Sequence, residues 1–357
     1  MYNKIKATGI NEIKGQIYIV NPYYHGRKTP INMSSTDKKF YYGAKVDAFN
    51  LDENYFSLNL SSTGNKFIVK FNDKTLDQLI HFDNKLYAAN KDELNFCQLN
   101  VKATQPNKLL LDGCLGQGNY KLRFSVPSTE YIVKKKITLQ LNKLKIMVHS
   151  HKITTLKKHP INTILLVTDK SAELDVLLKH MIQVSDNLYA QTLTKMLGYS
   201  VYNHGTFAAG TKAIQHILKQ QLNANYLAVQ FEDGAGSSEN DLLTAQFLTQ
   251  LLYVIQKEPI FKSFYNSLPV GGISGTLANR FKNILKGKVI AKTGSMATVR
   301  KLTGYLIIDN MNKYIFSIMI NGLKENQKTN AMNFEQQLLT KLFNMGKVDN
   351  KLIDQGE

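Results

Sequence analysis

The sequence predicts a mixed α/β (α+β) chain, with a β-rich first part (residues 1–150) and a second part (residues 151–357) in which helices alternate with strands. Three observations carry this. Before residue 149, apolar and polar residues alternate at the two-residue period of strands, in short runs separated by Gly, Asn and Asp. After residue 170, apolar residues recur at helical spacing in several stretches. Between the two lies a basic stretch, residues 149–160, closed by a proline as suits a boundary.

In chain order, GQIYIV, NYFSLNL, NKFIVKF and KLRFSV read as strands, and so does the alternating KKITLQLNKLKIMV of residues 135–148. His149 and His151, two positions apart, would face one side of a strand end. The apolar run at residues 161–167 reads as a further strand. Ser171 is placed to cap a helix through AELDVLLKHMI, and a second helix spans residues 186–197, ending at Gly198, a residue suited to a left-handed helix exit. Thr206 caps a third helix through AAGTKAIQHILKQ, and a fourth covers LLTAQFLTQLLYVI. VIAKTGS, KLTGYLIID and KYIFSIMI then form three successive strands before a closing helix around FEQQLLTKLFNM. Strands set between helices need both faces covered, which describes one mixed domain from about residue 155 onward.

At 357 residues and 43% apolar, the chain is long enough to bury a full core. It contains no apolar run long enough for a transmembrane helix, and its first twenty residues lack the features of a signal peptide, so the chain as written is expected to stay in the cytoplasm. The net charge of +18 would suit a polyanion, but it comes from lysines scattered along the chain with only four arginines, which argues against nucleic-acid recognition. The eight histidines have no HExxH or CxxC companion, so no metal site is expected. Cys97 and Cys114 would join in an oxidising compartment if they met in space, which the sequence leaves open.

The chemically informative residues form two triplets. Lys292-Thr293-Gly294, followed by Ser295, ends a predicted strand. On a strand edge a lysine cation and a threonine hydroxyl together hold a carboxylate, and a glycine lets a peptide pair with the backbone. Ser185-Asp186-Asn187 stands at the start of a predicted helix, where Ser and Asp are ordinary caps. The order SDN, then KTG before paired strands, is that of penicillin-binding proteins and serine β-lactamases.

Longer segments narrow the resemblance. DGAGSSEND (residues 233–241) resembles the DGSGLSR-x-N segment of class C low-molecular-mass penicillin-binding proteins, and SLPVGGISGTLANRF (residues 267–281) resembles their SLPVAG-x-DGTL-x-x-RF. YYGAKVDAFNLDEN (residues 41–54) and YKLRFSVP (residues 120–127) are similar to stretches of their inserted domains. The chain is thereby identified as a member of the D-Ala-D-Ala carboxypeptidase/endopeptidase family S13. It departs from the family pattern at Ala235, where the family has Ser, at Glu239 (Arg), at Asp241 (Asn) and at Ser274 (Asp).

The resemblance implies an incomplete serine β-lactamase/transpeptidase-like domain with β-rich inserted domains. It implies acyl transfer without a cofactor on peptidoglycan stem peptides, sensitivity to β-lactams, and a periplasmic or cell-envelope location. Ser185 would relay a proton to the leaving amine, and Asn187 would bind the substrate amide. Asp186 and Gly294 would lie in the substrate site, Lys292 and Thr293 would receive the terminal carboxylate, and the Ser295 N–H would form half of an oxyanion hole. The family's nucleophile is the Ser of an SxxK motif ahead of the inserted domains. The one SxxK here is Ser35-Thr36-Asp37-Lys38, in a polar segment without an apolar helical face, and chance alone supplies about two such pairs in a chain so rich in lysine. The expectation is that the true SxxK segment lies upstream of this chain and that activity is impaired, the alternative being an inactive remnant or peptidoglycan-binding pseudoenzyme.

Overall fold

In the computed structural model, which describes residues 2–72, 74–150, 152–222 and 229–353, alternate burial shapes the β-rich part. Phe56, Leu58 and Leu60 point into a core while their neighbours do not, as a half-buried strand requires. The strand Tyr55–Thr63 lies second in a five-stranded sheet of order Asn119–Ser125, Tyr55–Thr63, Lys66–Phe71, Tyr87–Ala89, Cys114–Gly116. A three-stranded sheet, His81–Asn84, Lys108–Asp112, Asn100–Gln105, contributes Val101, Leu109 and Leu111 to the same core. Four of the predicted strands are present, GQIYIV as Ile17–Val20 paired in parallel with Ile153–Leu156.

The fifth is not a strand. Residues 135–143 belong to the helix Thr129–Lys143, and only Met147–Val148 is extended. Ser128 caps the helix by accepting the Tyr131 N–H, and Ile132, Val133 and Leu141 are buried, with Ile137 packed beside them. Ile132 and Leu139 pack into the sheet core while Val133 and Ile137 pack into a second cluster, so the helix is buried on two sides, and apolar residues two apart, on opposite sides of a helix, mimic a strand alternation. His149 follows Met147–Val148 and places its Nε2 2.7 Å from Glu12 Oε1; His151 lies outside the described residues.

The chain divides into two compact units, the first being Met1–Ser171, Ala190–Ala213 and Glu232–Glu239, the second Ala172–Tyr189, Ile214–Phe231 and Asn240–Glu357. In the first unit, the family-like stretches are polar knots. The Asp233 carboxylate accepts the N–H groups of Ala235, Gly236, Ser237 and Ser238 at 2.6–3.0 Å, so the turn forms with Ala235 contributing its N–H. Asn54, at φ 51° in a left-handed turn with Asp52 and Glu53, donates to the Lys45 carbonyl and to Asn50 Oδ1. Residues 161–167 are irregular rather than a strand. Ile161 and Ile164 are 90% and 86% exposed, and among the described residues no strand pairs with this run, without which an isolated apolar run has no ladder to join.

The second unit is built on the antiparallel sheet Val289–Ser295, Arg300–Ile307, Lys313–Ile320, whose three strands are those read from the sequence. One face carries Val289, Ala291, Leu302 and Leu306 against Leu339 and Phe343 of the helix Lys328–Ile353. The other carries Ile290 and Tyr305 against Leu252 of the helix Ala245–Ile255 and against Phe261, Phe264 and Tyr265. Helices thus cover both faces, which explains why these strands are apolar on both sides.

Helix boundaries depart from expectation at Ser171 and at Gly198. The helix Leu174–Val184 starts three residues after Ser171, with Glu173 at its N-cap and no side-chain cap. The next helix, Asn187–Tyr202, runs through Gly198 instead of stopping there. Gly198 serves a close approach: a Cβ there would lie 2.6 Å from the Gly210 nitrogen and 2.8 Å from the His204 carbonyl, and Asn203, at φ 57°, makes the left-handed exit. Thr206 caps Phe207–Leu222 as expected, accepting the Ala209 N–H at 3.1 Å.

Candidate active site

Ser185 ends one helix and Asp186 starts the next, so the site is set at a helix-to-helix corner. Asp186 is the N-cap, accepting the Tyr189 N–H on Oδ1 at 3.0 Å. Ser185 is not a cap of that helix. It is the C-cap that follows Leu174–Val184, in the left-handed conformation, φ 59°, ψ 53°. A β-carbon in that region costs roughly 1–2 kcal/mol, so a serine there, where glycine would be free of strain, marks a place where the side chain is required. The Asp186 N–H closes the corner on the Met181 carbonyl.

The corner delivers Ser185 to the KTG strand. Lys292 Nζ donates to Ser185 Oγ at 2.7 Å and to the Thr293 carbonyl at 2.6 Å. Burial pushes the Lys292 ammonium down to about 8, because a cation loses hydration there. Asn187, the first residue of its helix, lies two positions beyond Ser185.

The strand edge supplies the second feature. Pro269, Val270 and Gly271 cover the outer edge of the first half of Val289–Ser295: the Ala291 N–H donates to Pro269, and the Gly271 N–H to Val289. Since Ala291 points its N–H outward, the two-residue repeat sends the Thr293 and Ser295 N–H groups to the same edge. No backbone acceptor among the described residues meets them there. Ser295 is exposed, and Gly294 presents no side chain to the approach. The structure thus brings Ser185, Lys292 and an open Thr293–Gly294–Ser295 edge into one unit.

Two further residues shape the site without a signal in either triplet. Thr293 Oγ1 donates to Thr276 Oγ1 at 2.8 Å, fixing the hydroxyl that was expected to read a carboxylate. Gln183 Nε2 donates to the Ser267 and Leu268 carbonyls, tying SLPV to the helix that ends in Ser185. Thr276 was legible as part of the GTL segment; Gln183 follows no sequence rule and is visible only in the packing. Ser274, where the family has Asp, still accepts the Val270 N–H at 3.1 Å. Ser35 sits exposed on a turn and Lys38 in the 3₁₀ turn Asp37–Lys39, with no hydrogen bond between their side chains among those of the described residues. No described helix is long and apolar enough to cross a membrane.

An apolar sheet between helices, an SDN corner and a KTG edge place the chain among transpeptidase-like folds, and comparison with known proteins agrees. The crystal structure of penicillin-binding protein 4 (DacB) from Haemophilus influenzae superposes with a TM-score of 0.83 at 27% identity, over 96% of this chain and 77% of that one. The same protein complexed with a β-lactam gives 0.76 at 26% identity, over 96% and 76%. In sequence, the chain is 27% identical over 354 residues to D-alanyl-D-alanine carboxypeptidase DacB of H. influenzae, spanning 95% of this chain and 73% of the relative. It is 34% identical over 158 residues to the D-alanyl-D-alanine carboxypeptidase of an Actinomadura species, 43% of this chain and 29% of that enzyme. The model of the D-Ala-D-Ala carboxypeptidase 3 (S13) family matches residues 1–342, and the chain belongs to that family of class C penicillin-binding proteins.

Proposed function

We propose that this chain carries the carboxylate-reading and proton-relay part of a serine-type D-Ala-D-Ala carboxypeptidase/endopeptidase site, acting on peptidoglycan stem peptides through an acyl-enzyme that β-lactams also form. The observation that carries the reading is the 2.7 Å contact of Lys292 with Ser185 beside an open strand edge. Because Lys292 donates to Ser185 Oγ, the Ser185 hydroxyl hydrogen is directed elsewhere, ready for a leaving amine, and the lowered affinity of Lys292 for its proton makes it a competent refilling acid. In the proposed step the hydroxyl oxygen of the family's SxxK serine, giving its proton to the lysine of that motif, bonds to the penultimate D-Ala carbonyl, and the C–N bond to the terminal D-Ala breaks. Ser185 passes a proton to that nitrogen, and water later releases the acyl group. Thr293 and Lys292 receive the terminal carboxylate, the Ser295 N–H points at the oxyanion, and Asn187 and Asp186 flank the peptide. The work belongs in the cell envelope, and the joining of Cys97 to Cys114 suits an oxidising compartment.

The nucleophile is not assigned to Ser35. An exposed serine on a turn, with no lysine hydrogen-bonded to its side chain among the described residues, lacks the activation that attack needs. That geometry favours a second reading for residues 1–357 taken alone, a non-acylating binder of the same peptides. Incubation with a fluorescent penicillin separates the two. Label that survives denaturation supports the enzyme, label lost on denaturation supports the binder, and no retention at any dose by the folded protein removes both.

A further inference from the structure

A buried ion cluster stands behind the KTG hairpin. Glu335, on the helix Lys328–Ile353, is fully buried, and its Oε2 accepts from Arg280 Nη2 at 2.5 Å and from Arg300 Nε at 3.2 Å. Both guanidinium side chains are nearly buried as well, 15% and 13% exposed. Two cations on one carboxylate are costly to bury, so the arrangement needs a reason beyond filling space.

The position of Arg300 supplies one. It is the first residue of Arg300–Ile307 and the register partner of Ser295, the last residue of the KTG strand. The turn between them is closed by Met296 N–H to the Val299 carbonyl at 2.9 Å, and its tip is held by Leu323 N–H to the Thr298 carbonyl. Arg300 lies on the same face as Leu302 and Leu306, so its guanidinium reaches the helix on which Leu339 and Phe343 pack. Arg280, in the segment leading to buried Phe281, joins through the same oxygen. Glu335 therefore fastens the turn end of the hairpin to the closing helix and to the segment that carries Thr276.

We infer that Glu335 and Arg300 are positioning residues for the outward N–H of Ser295 and the carboxylate-reading edge. The inference rests on the proposed reading of that edge. Hydrogen bonding to a substrate fails with displacements of under an ångström, and a hairpin end without an anchor frays more than that. Arg300 is the link to the strand, while Arg280 and Glu335 form a neutral pair without it.

The test uses the full chain and an N-acylated L-Lys-D-Ala-D-Ala tripeptide, with its C-terminal amide as control, by titration calorimetry. Glu335→Gln strands two buried cations and threatens the fold, so Arg300→Met and Arg300→Lys are the working variants. The expected result is that Arg300→Met weakens the free acid by about tenfold, with a melting midpoint within about 3 °C of the parent, and that Arg300→Lys recovers most of the affinity. Unchanged affinity in Arg300→Met overturns the role, as does an affinity loss that only tracks a fallen midpoint and is not recovered by Arg300→Lys. Failure of the parent chain to prefer the acid over the amide is a different result: it removes the reading of the site, and this role with it.

Discussion

Gly275 sits against Gln183 so closely that a Cβ on it would lie 2.5 Å from Gln183 Oε1 and 2.7 Å from the Gln183 carbonyl, and its φ of +57° is one that side chains rarely adopt. Gln183 lies in the last turn of the helix that presents Ser185, and Gly275 precedes Thr276, which holds Thr293. Gly275→Ala is therefore expected to lower stability by about 1–3 kcal/mol, through strain and the clash together. Urea unfolding checks it; a variant as stable as the parent would mean the contact relaxes without cost.

In the proposed reading Lys292 and Ser185 do different work, and their variants should part. Lys292→Met removes a desolvated cation, so the melting midpoint is expected to hold or rise while affinity for a D-Ala-D-Ala terminus falls by about a hundredfold. Ser185→Ala keeps the cation and should leave affinity within about threefold, affecting only proton transfer. Calorimetry and melting of both variants decide this. Equal affinity losses would mean Ser185 is a ligand contact rather than a relay.

The proton on Lys292 also sets a pH dependence. Its affinity for that proton is lowered to about 8 in the folded chain by burial. If carboxylate binding uses the ammonium, as proposed, affinity should be flat below about pH 7 and weaken by up to about tenfold per pH unit above 8, until the ligand-bound ammonium itself titrates. The sign follows from the cationic form being the binding form. Lys292→Met should abolish the slope, and a parent chain whose affinity rises with pH would refute the assignment.

Most strands and helices after residue 170 were legible because their signals were redundant: apolar runs of the right length, turn residues between them and Thr206 as a cap. The failures share a cause. The residues 135–148 satisfy both a two-residue and a helical period, and only the Ser128 cap and the burial of Ile132 and Val133 decide between them. Residues 161–167 have strand composition, yet composition cannot supply a pairing partner. Gly198 reads as a helix stop because glycine's two uses, a left-handed exit and a close approach, look alike in sequence. At the candidate site, SDN and KTG point to residues that the structure brings together in Ser185 and Lys292, but the left-handed Ser185 and the outward Ser295 N–H exist only once corner and register are formed.

Joining Cys97 to Cys114, with α-carbons 5.8 Å apart, closes a short loop in the first unit. By the loop-entropy relation, a crosslink of 17 residues' separation is worth about 3 kcal/mol. Reduction should lower the urea midpoint accordingly while leaving affinity for the acid tripeptide unchanged, because neither cysteine belongs to the unit that carries Lys292 and Ser185. A parallel loss of affinity would contradict that separation.

Lys195 offers the sharpest stability test, since it is 1% exposed on the helix that follows SDN yet makes no ion pair among the described residues. Its Nζ donates to the Arg27 carbonyl at 2.6 Å and reaches the His25 carbonyl at 3.4 Å, with the Phe207 ring 4.7 Å away. These contacts hold the loop at residues 25–27 against the helix. Burial pushes its ammonium down to about 8, a larger effect than the attraction of Asp47, while Lys28 adds to the lowering. A lysine whose folded value is depressed binds its proton less readily than in the unfolded chain, so its contribution to stability improves as pH rises from about 8 towards its unfolded value. Lys195→Met removes both the hydrogen bonds and this dependence. The variant is expected to lose about 1–3 kcal/mol, and its deficit against the parent should widen between about pH 7.5 and 9.5 if the neutral amine still donates to Arg27. Urea midpoints at the two pH values measure this, and a deficit that narrows at high pH would show that the charge, not the donor, holds the loop.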